Sequence, residues 1–416
     1  MKEKLYNILR WSEKYTKTDM LYIAKGGGSL FGGQIITTIL ALGLMVAFAN
    51  LLPQNQYGVY RFLLSGLSII SVFSLTGMHN ALARSVSKGA ERSLLTAFKT
   101  QLQWNLIPSF LALGVGLYYF INNNNTLAAG FLTIALFFCI YKTSEIYDAF
   151  LIGKKMFNKR VWFNILHNAF NSIAVIVTIF LTHNVNIILL VYITSMTISL
   201  SLFYFRTKRF VNMQTPVDTE MVPYAKHLSI INGIHQFAQE LDKILMFHYL
   251  GAAQLASYAF ATAGPLRIDG FKISLKNLIY PKLSAQDLPT LKKSLPRKIL
   301  ILTGAISLVV LMYILAAPYL FQWFLPRYID AVLYSQIFSL VLIFSPTILV
   351  ISQTFIAQVQ KRTLYKVRII NAMVKIALMA ILIPLFGIWG AIIAFMGAKC
   401  IEAIVVSLFF YFTKTD

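Results

Sequence analysis

The chain has 416 residues, of which 57% are hydrophobic and only 12% are charged, and its formal net charge is +22. About a quarter of the residues of an ordinary soluble domain are charged, so this composition excludes a soluble globular protein. Apolar runs long enough to cross a hydrocarbon core about 30 Å thick recur along the sequence. In such a protein a surplus of lysine and arginine is first a topology signal, and we expect no nucleic-acid partner.

The N-terminal segment MKEKLYNILRWSEKYTKTDM has no uninterrupted apolar region and no small-residue cleavage site, so it is not a cleaved signal peptide. Leu5, Ile8, Leu9 and Trp11 are interleaved with lysines, a pattern typical of a helix lying on a membrane surface. We assign residues 1–29 to a cytoplasmic amphipathic segment.

Hydropathy predicts an all-α integral membrane protein with about twelve spans. The predicted spans are 30–52, 59–79, 102–121, 127–152, 161–182, 186–205, 227–250, 252–281, 298–320, 331–354, 367–386 and 388–412. They form an N-terminal six-helix bundle (30–205), a basic linker (206–226) and a C-terminal six-helix bundle (227–416).

Positive charge alternates between successive connections. The connections PQNQYG, NNNNT, THNV, GAAQ and GI hold no lysine or arginine, and FQWFLPRYID holds only Arg327, whereas the connections between them are basic. The positive-inside rule therefore places both termini in the cytoplasm. A regular alternation also supports an even number of spans.

A weak internal repeat appears when the chain is shifted by 201 residues, an offset that aligns Tyr57 with Tyr258 and Gly32 with Gly233. The match falls where each six-helix half begins, as expected for a transporter made of two related halves. Chance identity is the alternative.

No catalytic motif is evident: GxxxxGK[ST], HExxH and GxSxG are all absent from the sequence. The only cysteines, Cys139 and Cys400, lie in apolar runs, and the pattern indicates no disulfide framework, no metal and no cofactor. The short loops leave little room for an active site. We expect a protein that is not an enzyme.

The seventh predicted span carries charges inside an apolar helix, in the stretch AQELDKILMFHYLG. Each ionised side chain facing lipid at the bilayer centre would cost about 2.5–3.5 kcal/mol, so Glu240, Asp242 and Lys243 must face protein or water. His235 and Asp242 share one polar stripe. A water-filled central cavity explains these charges. The alternative is that Glu240 and Lys243 neutralise each other within the packing and that Asp242 lies near the exterior interface.

In the eighth predicted span, Gly264 and Pro265 precede Arg267 and Asp269. A glycine-proline pair predicts a broken helix, which is tolerated at this depth only where protein or water satisfies the freed backbone groups. Broken helices that carry a charge are typical of transporter binding sites. The alternative is a simple kink with a local pair between Arg267 and Asp269.

Other charges allow two interpretations. Lys25 and Arg61 are either substrate ligands or residues that extend to the membrane interface. A further set is either functional or a packing network: Lys142, Glu145, Asp148, Lys375, Lys399 and Glu402.

A cavity where cations converge would hold an anionic substrate, because guanidinium and ammonium groups attract phosphate strongly in a low dielectric. The substrate-binding candidates are Arg267, Lys243, Arg61 and Lys25. The candidates for coupling to a proton or sodium ion, or for gating, are Asp242, Glu240, Asp269 and His235.

The sequence also resembles a known family. The turn LPQNQYGVY and the later TGMHNALAR resemble the first two spans of polysaccharide transporters in the multidrug, oligosaccharidyl-lipid and polysaccharide exporter superfamily. DKILMFHYLGAAQLASYAF and IPLFGIWGAIIAFMGAK are similar to their seventh, eighth and final spans. The resemblance extends over the whole chain.

This resemblance implies two six-helix bundles around a central cavity and a flippase for undecaprenyl-pyrophosphate-linked oligosaccharides of the O-antigen or capsule type. It implies that Arg267 and Arg61 contact the pyrophosphate and that Lys25 lies at the cytoplasmic entrance. The expected partners are the lipid-linked glycan, membrane lipids and a coupling proton or sodium ion. The expected protein is a monomer in the bacterial cytoplasmic membrane.

Two alternatives remain. One is a cation-coupled multidrug exporter of the same superfamily, although such proteins have near-neutral or acidic cavities. The other is a membrane glycan polymerase or ligase, which would need a larger exterior loop than this chain has.

Overall fold

The computed structural model describes residues 20–270, 272, 276, 279, 283, 286–358 and 360–412, with side chains from residue 32 onwards except at 231, 361 and 362. Residues 1–19 of the surface segment predicted at the N-terminus lie outside the described residues. The helices are α1 (Met20–Leu51), α2 (Gln54–Ile70), α3 (Met78–Ser87), α4 (Ser93–Trp104), α5 (Leu106–Ile121), α6 (Asn125–Ser144), α7 (Tyr147–Gly153), α8 (Phe157–Leu181), α9 (Val185–Lys208), α10 (Met221–Gly270), α11 (Leu288–Phe324), α12 (Val332–Ser339), α13 (Ser345–Ala357) and α14 (Lys361–Phe412).

The described helices make twelve membrane crossings. Nine stretches are long and apolar enough to cross a bilayer, and the bent pair α2 and α3, whose axes differ by 58°, makes a tenth. Two of the nine are much longer than one crossing requires: α10 has 50 residues and α14 has 52. At about 1.5 Å per residue, each contains about 75 Å of helix, more than twice the hydrocarbon thickness. Each is broken once and supplies two crossings. The predicted all-α architecture with about twelve spans is confirmed.

Single glycines make these two breaks. Gly251 has φ 82° and ψ 178°, and Gly387 has φ 59° and ψ −131°, conformations that side chains with a Cβ avoid. Each glycine reverses the chain between two crossings, which we name α10a (221–250), α10b (252–270), α14a (361–386) and α14b (388–412). The predicted connections GAAQ and GI are thus reduced to one non-helical residue each.

The two ends of the molecule differ in how their cores are built. We call the end that holds the lysine- and arginine-rich connections, such as 154–160 and 206–226, the basic end, and the opposite end the short-loop end. At the short-loop end one apolar core joins both bundles. At the basic end one core lies within the N-terminal bundle and the beginning of α10, and a separate core lies within the C-terminal bundle.

Side-chain contacts close the short-loop end. The rings of Tyr57 on α2 and Phe260 on α10b stack with centroids 4.4 Å apart. Gln54 donates to the Ser257 hydroxyl at 2.8 Å, and Asn50 at the end of α1 donates to the Phe324 carbonyl at 2.8 Å. These contacts cross between the bundles on both sides of the molecule. The short-loop end is therefore sealed.

One seam between the bundles is closed along its whole length. α10a packs against α2 near the short-loop end, where Phe62 and Phe247 stack at 3.9 Å, and in the middle, where Gln236 donates to the Ser71 hydroxyl at 2.6 Å. Near the basic end, the Gly77 backbone N–H donates to the Ser229 hydroxyl at 2.9 Å.

The opposite seam, between α1 and α10b, is open towards the basic end. Gln34, Ile35 and Ile36 are three successive exposed residues of α1, and their side chains point about 100° apart. On α10b, Leu266 and Arg267 are also exposed. Towards the basic end the two bundles have separate apolar cores, and we infer that they diverge there and leave a cleft between α1 and α10b that is closed at the short-loop end.

The predicted helix break at Gly264 and Pro265 is wrong. α10b continues through both residues, and Gly251 is the non-helical position in α10. The glycine has a packing role instead, because a Cβ on Gly264 would lie 2.4 Å from the Tyr313 hydroxyl oxygen on α11. Proline costs this helix one backbone hydrogen bond, but the surrounding contacts keep it continuous.

The tightest contact at the sealed end predicts a stability effect. A Cβ on Gly58 would lie 1.8 Å from the Ala252 carbonyl oxygen, so Gly58→Ala must push α2 away from the turn at Gly251. Overpacking of this kind costs about 1–3 kcal/mol. We expect Gly58→Ala to lower the melting temperature of the detergent-purified protein. Gly114→Ala, at a helical glycine with no atom within 4 Å, is the control. Equal melting temperatures for the two variants would contradict this account of the contact.

Candidate functional site

Two arginines from different bundles face the cleft. Arg61 lies two turns into α2 and is half-buried, and Arg267 lies on α10b and is exposed. The two guanidinium groups are close enough for direct electrostatic interaction with each other and with the Tyr57 hydroxyl. The sealed end and the open seam thus meet at a pair of cations.

Neither arginine is neutralised. Among the residues that the structure describes, no carboxylate lies within 4 Å of Arg61 or Arg267. The Nε of Arg61 is buried and has no hydrogen-bond acceptor in the described part of the chain. A buried N–H without a partner carries a free-energy cost, so a hydrogen-bond acceptor placed here would stabilise the site.

Lys243, in contrast, is paired. Its Nζ lies 2.7 Å from the Glu240 carboxylate one helical turn earlier, as the packing alternative predicted. Glu240 also interacts electrostatically with Arg61, so the pair borders the arginine site. The net contribution of the pair to the local charge is small. The cationic character of the cleft therefore comes from Arg61 and Arg267.

Asp269 does not pair with Arg267, contrary to the alternative considered for the eighth span. Its carboxylate forms an ion pair with Lys272 and accepts a hydrogen bond from the Ser345 hydroxyl at 2.8 Å. Because these groups satisfy Asp269, Arg267 has no carboxylate within 4 Å among the residues with described side chains.

Asp242 lies inside the C-terminal bundle, among groups of α10b and α14a. The alternative that it lies near the exterior interface stays a prediction. Asp242 is 4% exposed, and one carboxylate oxygen accepts a hydrogen bond from the Tyr258 hydroxyl at 2.7 Å. The other oxygen is buried without a hydrogen-bond donor in the part of the chain that the structure describes. A buried carboxylate with a free oxygen is a group that a proton or a small cation could satisfy.

Lys375 lies beside Asp242 in the same bundle and was not among the predicted binding or coupling residues. It is 5% exposed, donates to the Gln239 amide oxygen at 3.1 Å and lies 4.7 Å above the Phe395 ring. It interacts electrostatically with Asp242 but forms no described ion pair within 4 Å. A lysine in the middle of an apolar span was the available sequence signal.

His235 and the last span carry further polar groups of the C-terminal bundle. Lys399 and Glu402 form an i,i+3 ion pair at 2.7 Å, and both interact electrostatically with His235, which is exposed on α10a. The coupling candidate Asp242 therefore lies in the bundle interior, and His235 lies at its exposed edge, whereas Glu240 and Asp269 form ion pairs near the arginines.

Two other predicted sets lie elsewhere. Lys25 is in α1, but its side chain lies outside the described residues. Near the basic end of the N-terminal bundle, Lys142 pairs with Glu145, and Asp148 accepts from Arg160 at 2.7 Å and contacts His79 at 3.1 Å. This second network is self-contained.

The polysaccharide biosynthesis protein family model matches residues 23–275, which is more than half of the chain. The chain belongs to this family.

Solved structures show which fold the family member adopts. The chain is similar to a multidrug resistance MATE family transporter of the MOP superfamily in its inward-facing conformation, with a TM-score of 0.70 and 16% identity over 90% of this chain and 94% of that one. It is also similar to the lipid II flippase MurJ, inward closed, with a TM-score of 0.62 and 15% identity over 92% and 86%. A MOP superfamily transporter from Pyrococcus furiosus, described by the reversed polarity of its binding pocket, gives a TM-score of 0.60 and 15% identity over 94% and 95%.

No protein in the curated set matches this family member in sequence. The structural likenesses extend over nearly the whole chain and establish the fold of MOP superfamily transporters. The resemblance noted from the sequence motifs is therefore confirmed at the level of family and fold.

The geometry predicts different accessibility for two charged positions. Two single-cysteine variants, Arg267→Cys and Asp242→Cys, would be made in a background with Cys139→Ser and Cys400→Ser. Position 267 is exposed at the cleft, and position 242 is in the bundle interior. A thiol must ionise to react, and burial suppresses ionisation. We expect a charged, water-soluble maleimide to label position 267 at least about ten times faster than position 242. Equal labelling rates would contradict the assignment of the cleft.

Proposed function

We propose that this protein is a flippase that moves undecaprenyl-pyrophosphate-linked oligosaccharide units across the bacterial cytoplasmic membrane by alternating access. The units serve O-antigen, capsule or exopolysaccharide synthesis. The protein works as a monomer without enzymatic chemistry, and its basic end, with both termini, faces the cytoplasm.

The observation that carries the proposal is the uncompensated pair Arg61 and Arg267. Two guanidinium groups from opposite bundles, without a carboxylate within 4 Å in the described ranges, leave a local charge that a pyrophosphate can balance. Each guanidinium can hold phosphate oxygens through two hydrogen bonds. A site formed by both bundles also couples binding to their relative movement, because the anion contacts each of them.

The open seam supports a lipid-linked substrate in particular. A cleft that opens sideways between α1 and α10b lets a polyprenyl tail remain in the hydrocarbon layer while the pyrophosphate and sugars enter the aqueous interior. Keeping the tail in lipid avoids exposing many methylene groups to water, each at a cost of about 0.8 kcal/mol. A multidrug exporter for cations would need a counter-charge in place of the arginine pair.

The coupling ion acts on the C-terminal bundle in this proposal. Asp242 has one oxygen held by Tyr258 and one free, and Lys375 lies near enough to respond to its charge. A proton or sodium ion arriving at Asp242 would change the balance between these groups. Since Asp242 and the cleft-facing Lys243 are adjacent on α10a, such a change can shift the helix that forms the closed seam.

Arginine substitutions test the binding site. Arg61→Ala and Arg267→Ala should each weaken binding of undecaprenyl pyrophosphate to the purified protein by about 30-fold or more, the range for removing one partner of a hydrogen-bonded charge pair. Surface glycan should disappear in cells that depend on either variant, while the membrane level of the protein is unchanged. Arg267→Lys should retain part of the activity because it keeps the charge and loses the two-pronged grip.

Arg206→Ala is the matched control, because Arg206 is an exposed arginine at the basic end of α9, away from the cleft. It should bind and export as the wild type does. Wild-type export by Arg267→Ala would remove the arginine pair from the mechanism.

Asp242→Asn separates coupling from binding. The amide keeps the size of the side chain and its acceptor for the Tyr258 hydroxyl, but cannot carry the charge. In proteoliposomes we expect it to bind undecaprenyl pyrophosphate with near wild-type affinity and to lose the stimulation of transport by an imposed proton or sodium gradient. Unchanged stimulation by both gradients would rule out Asp242 as the coupling group.

A further inference from the structure

A second polar pocket lies at the short-loop end, apart from the arginine pair. It has a volume of about 570 Å³ and lies where α2, α6 and α9 begin, bordered by Phe247 of α10a. It is lined mainly by amide, hydroxyl and imidazole side chains: Asn55, Gln56, Asn124, Thr126, His183, Asn184 and Asn186. None of the described lining residues is acidic, lysine or arginine.

Two of these amides lack hydrogen-bond donors for their oxygens. Oε1 of Gln56 and Oδ1 of Asn186 are buried atoms without a partner in the described part of the protein. Both residues line the pocket. Leaving a buried acceptor unpaired is unfavourable, so a ligand that brings hydroxyl or amide donors into the pocket would satisfy both oxygens after a small turn of the two side chains.

This chemistry selects the class of ligand. Free carbonyl oxygens repel a phosphate or carboxylate, and a wholly apolar ligand would leave them unpaired. A pyranose ring offers several hydroxyl donors at its edge and C–H groups on its face, which can pack against an aromatic ring such as Phe247. A volume of about 570 Å³ is ample for one or two sugar rings.

We propose that this pocket binds a neutral pyranose of the transported glycan on the short-loop side of the membrane. The assignment of that sugar to a lipid-linked glycan rests on the proposed function. The pocket and the arginine site lie on different faces of α2, because Gln56 lines the pocket and Arg61, five residues later, lies about 140° around the helix from it. One helix therefore links pyrophosphate binding with sugar recognition.

The sugar site gives the transporter a specificity determinant outside the charged cleft. Pyrophosphate is common to every unit linked to the same lipid, so Arg61 and Arg267 cannot distinguish one glycan from another. Amide side chains of fixed orientation can distinguish them, because donor and acceptor positions differ between sugar epimers.

Saturation-transfer NMR on the full chain in detergent micelles tests the pocket. The probes are methyl pyranosides of glucose, galactose, mannose and N-acetylglucosamine. We expect transfer to at least one of them, and about tenfold weaker binding by Gln56→Met and by Asn186→Leu, which remove the unpaired oxygens. Asn186→Leu keeps the backbone N–H that the Asn184 side chain caps.

Gln322→Met is the matched control, because Gln322 is an exposed amide at the short-loop end of the other bundle. It should leave the signal unchanged. Melting temperatures of all three variants show that they are folded. Absence of transfer to every pyranoside, or transfer that survives in both pocket variants, would overturn the proposal.

Sugar-free undecaprenyl pyrophosphate, titrated against the wild-type protein, separates this inference from the proposed function. Binding of the lipid without any pyranoside signal overturns the sugar pocket alone. A pyranoside signal without lipid binding leaves the sugar pocket standing and overturns the proposed flippase.

Discussion

An ionised side chain within a bilayer must find a counter-charge, a hydrogen-bond partner or water, and Arg61 and Arg267 have no carboxylate within 4 Å among the described residues. Other charges in the C-terminal half do have partners: Glu240 with Lys243, Asp269 with Lys272, and Lys399 with Glu402. Because those ion pairs are neutral, the arginine pair is the part of the site whose charge an anionic ligand would balance. In the proposed mechanism, the cleft gives those arginines access to water and to the ligand.

The architecture places the pair where movement of the bundles would alter it. Tyr57 and Phe260 stack at the sealed end, and Gly58 lies against the Ala252 carbonyl, so α2 and α10b are held together just beyond the arginines. Towards the basic end the same bundles separate between α1 and α10b. Closing that seam and opening the sealed end would carry an anion held by both bundles from one side to the other, as alternating access requires.

The sequence predicted the fold well, because length and hydropathy determine how many helices can cross a bilayer, and short turns at Gly251 and Gly387 leave little freedom in their connections. It predicted less about the site. Spacing indicated that Glu240 and Lys243 could pair, but not that Ser345 and Lys272 would satisfy Asp269. Gly264 and Pro265 indicated a helix break, but the helix is continuous. Gly264 instead leaves room for Tyr313, which belongs to a distant helix. Such partners are set by tertiary packing, which local patterns do not encode.

Reconstituted flipping tests the central claim most directly. Purified protein would be placed in liposomes that carry an undecaprenyl-pyrophosphate-linked oligosaccharide in the inner leaflet, and a membrane-impermeant lectin would report sugars that reach the outer leaflet. The account predicts protein-dependent appearance of the sugars for the wild type and not for a variant lacking both cleft arginines. Equal rates for the two proteins, or no movement above protein-free liposomes, would contradict it.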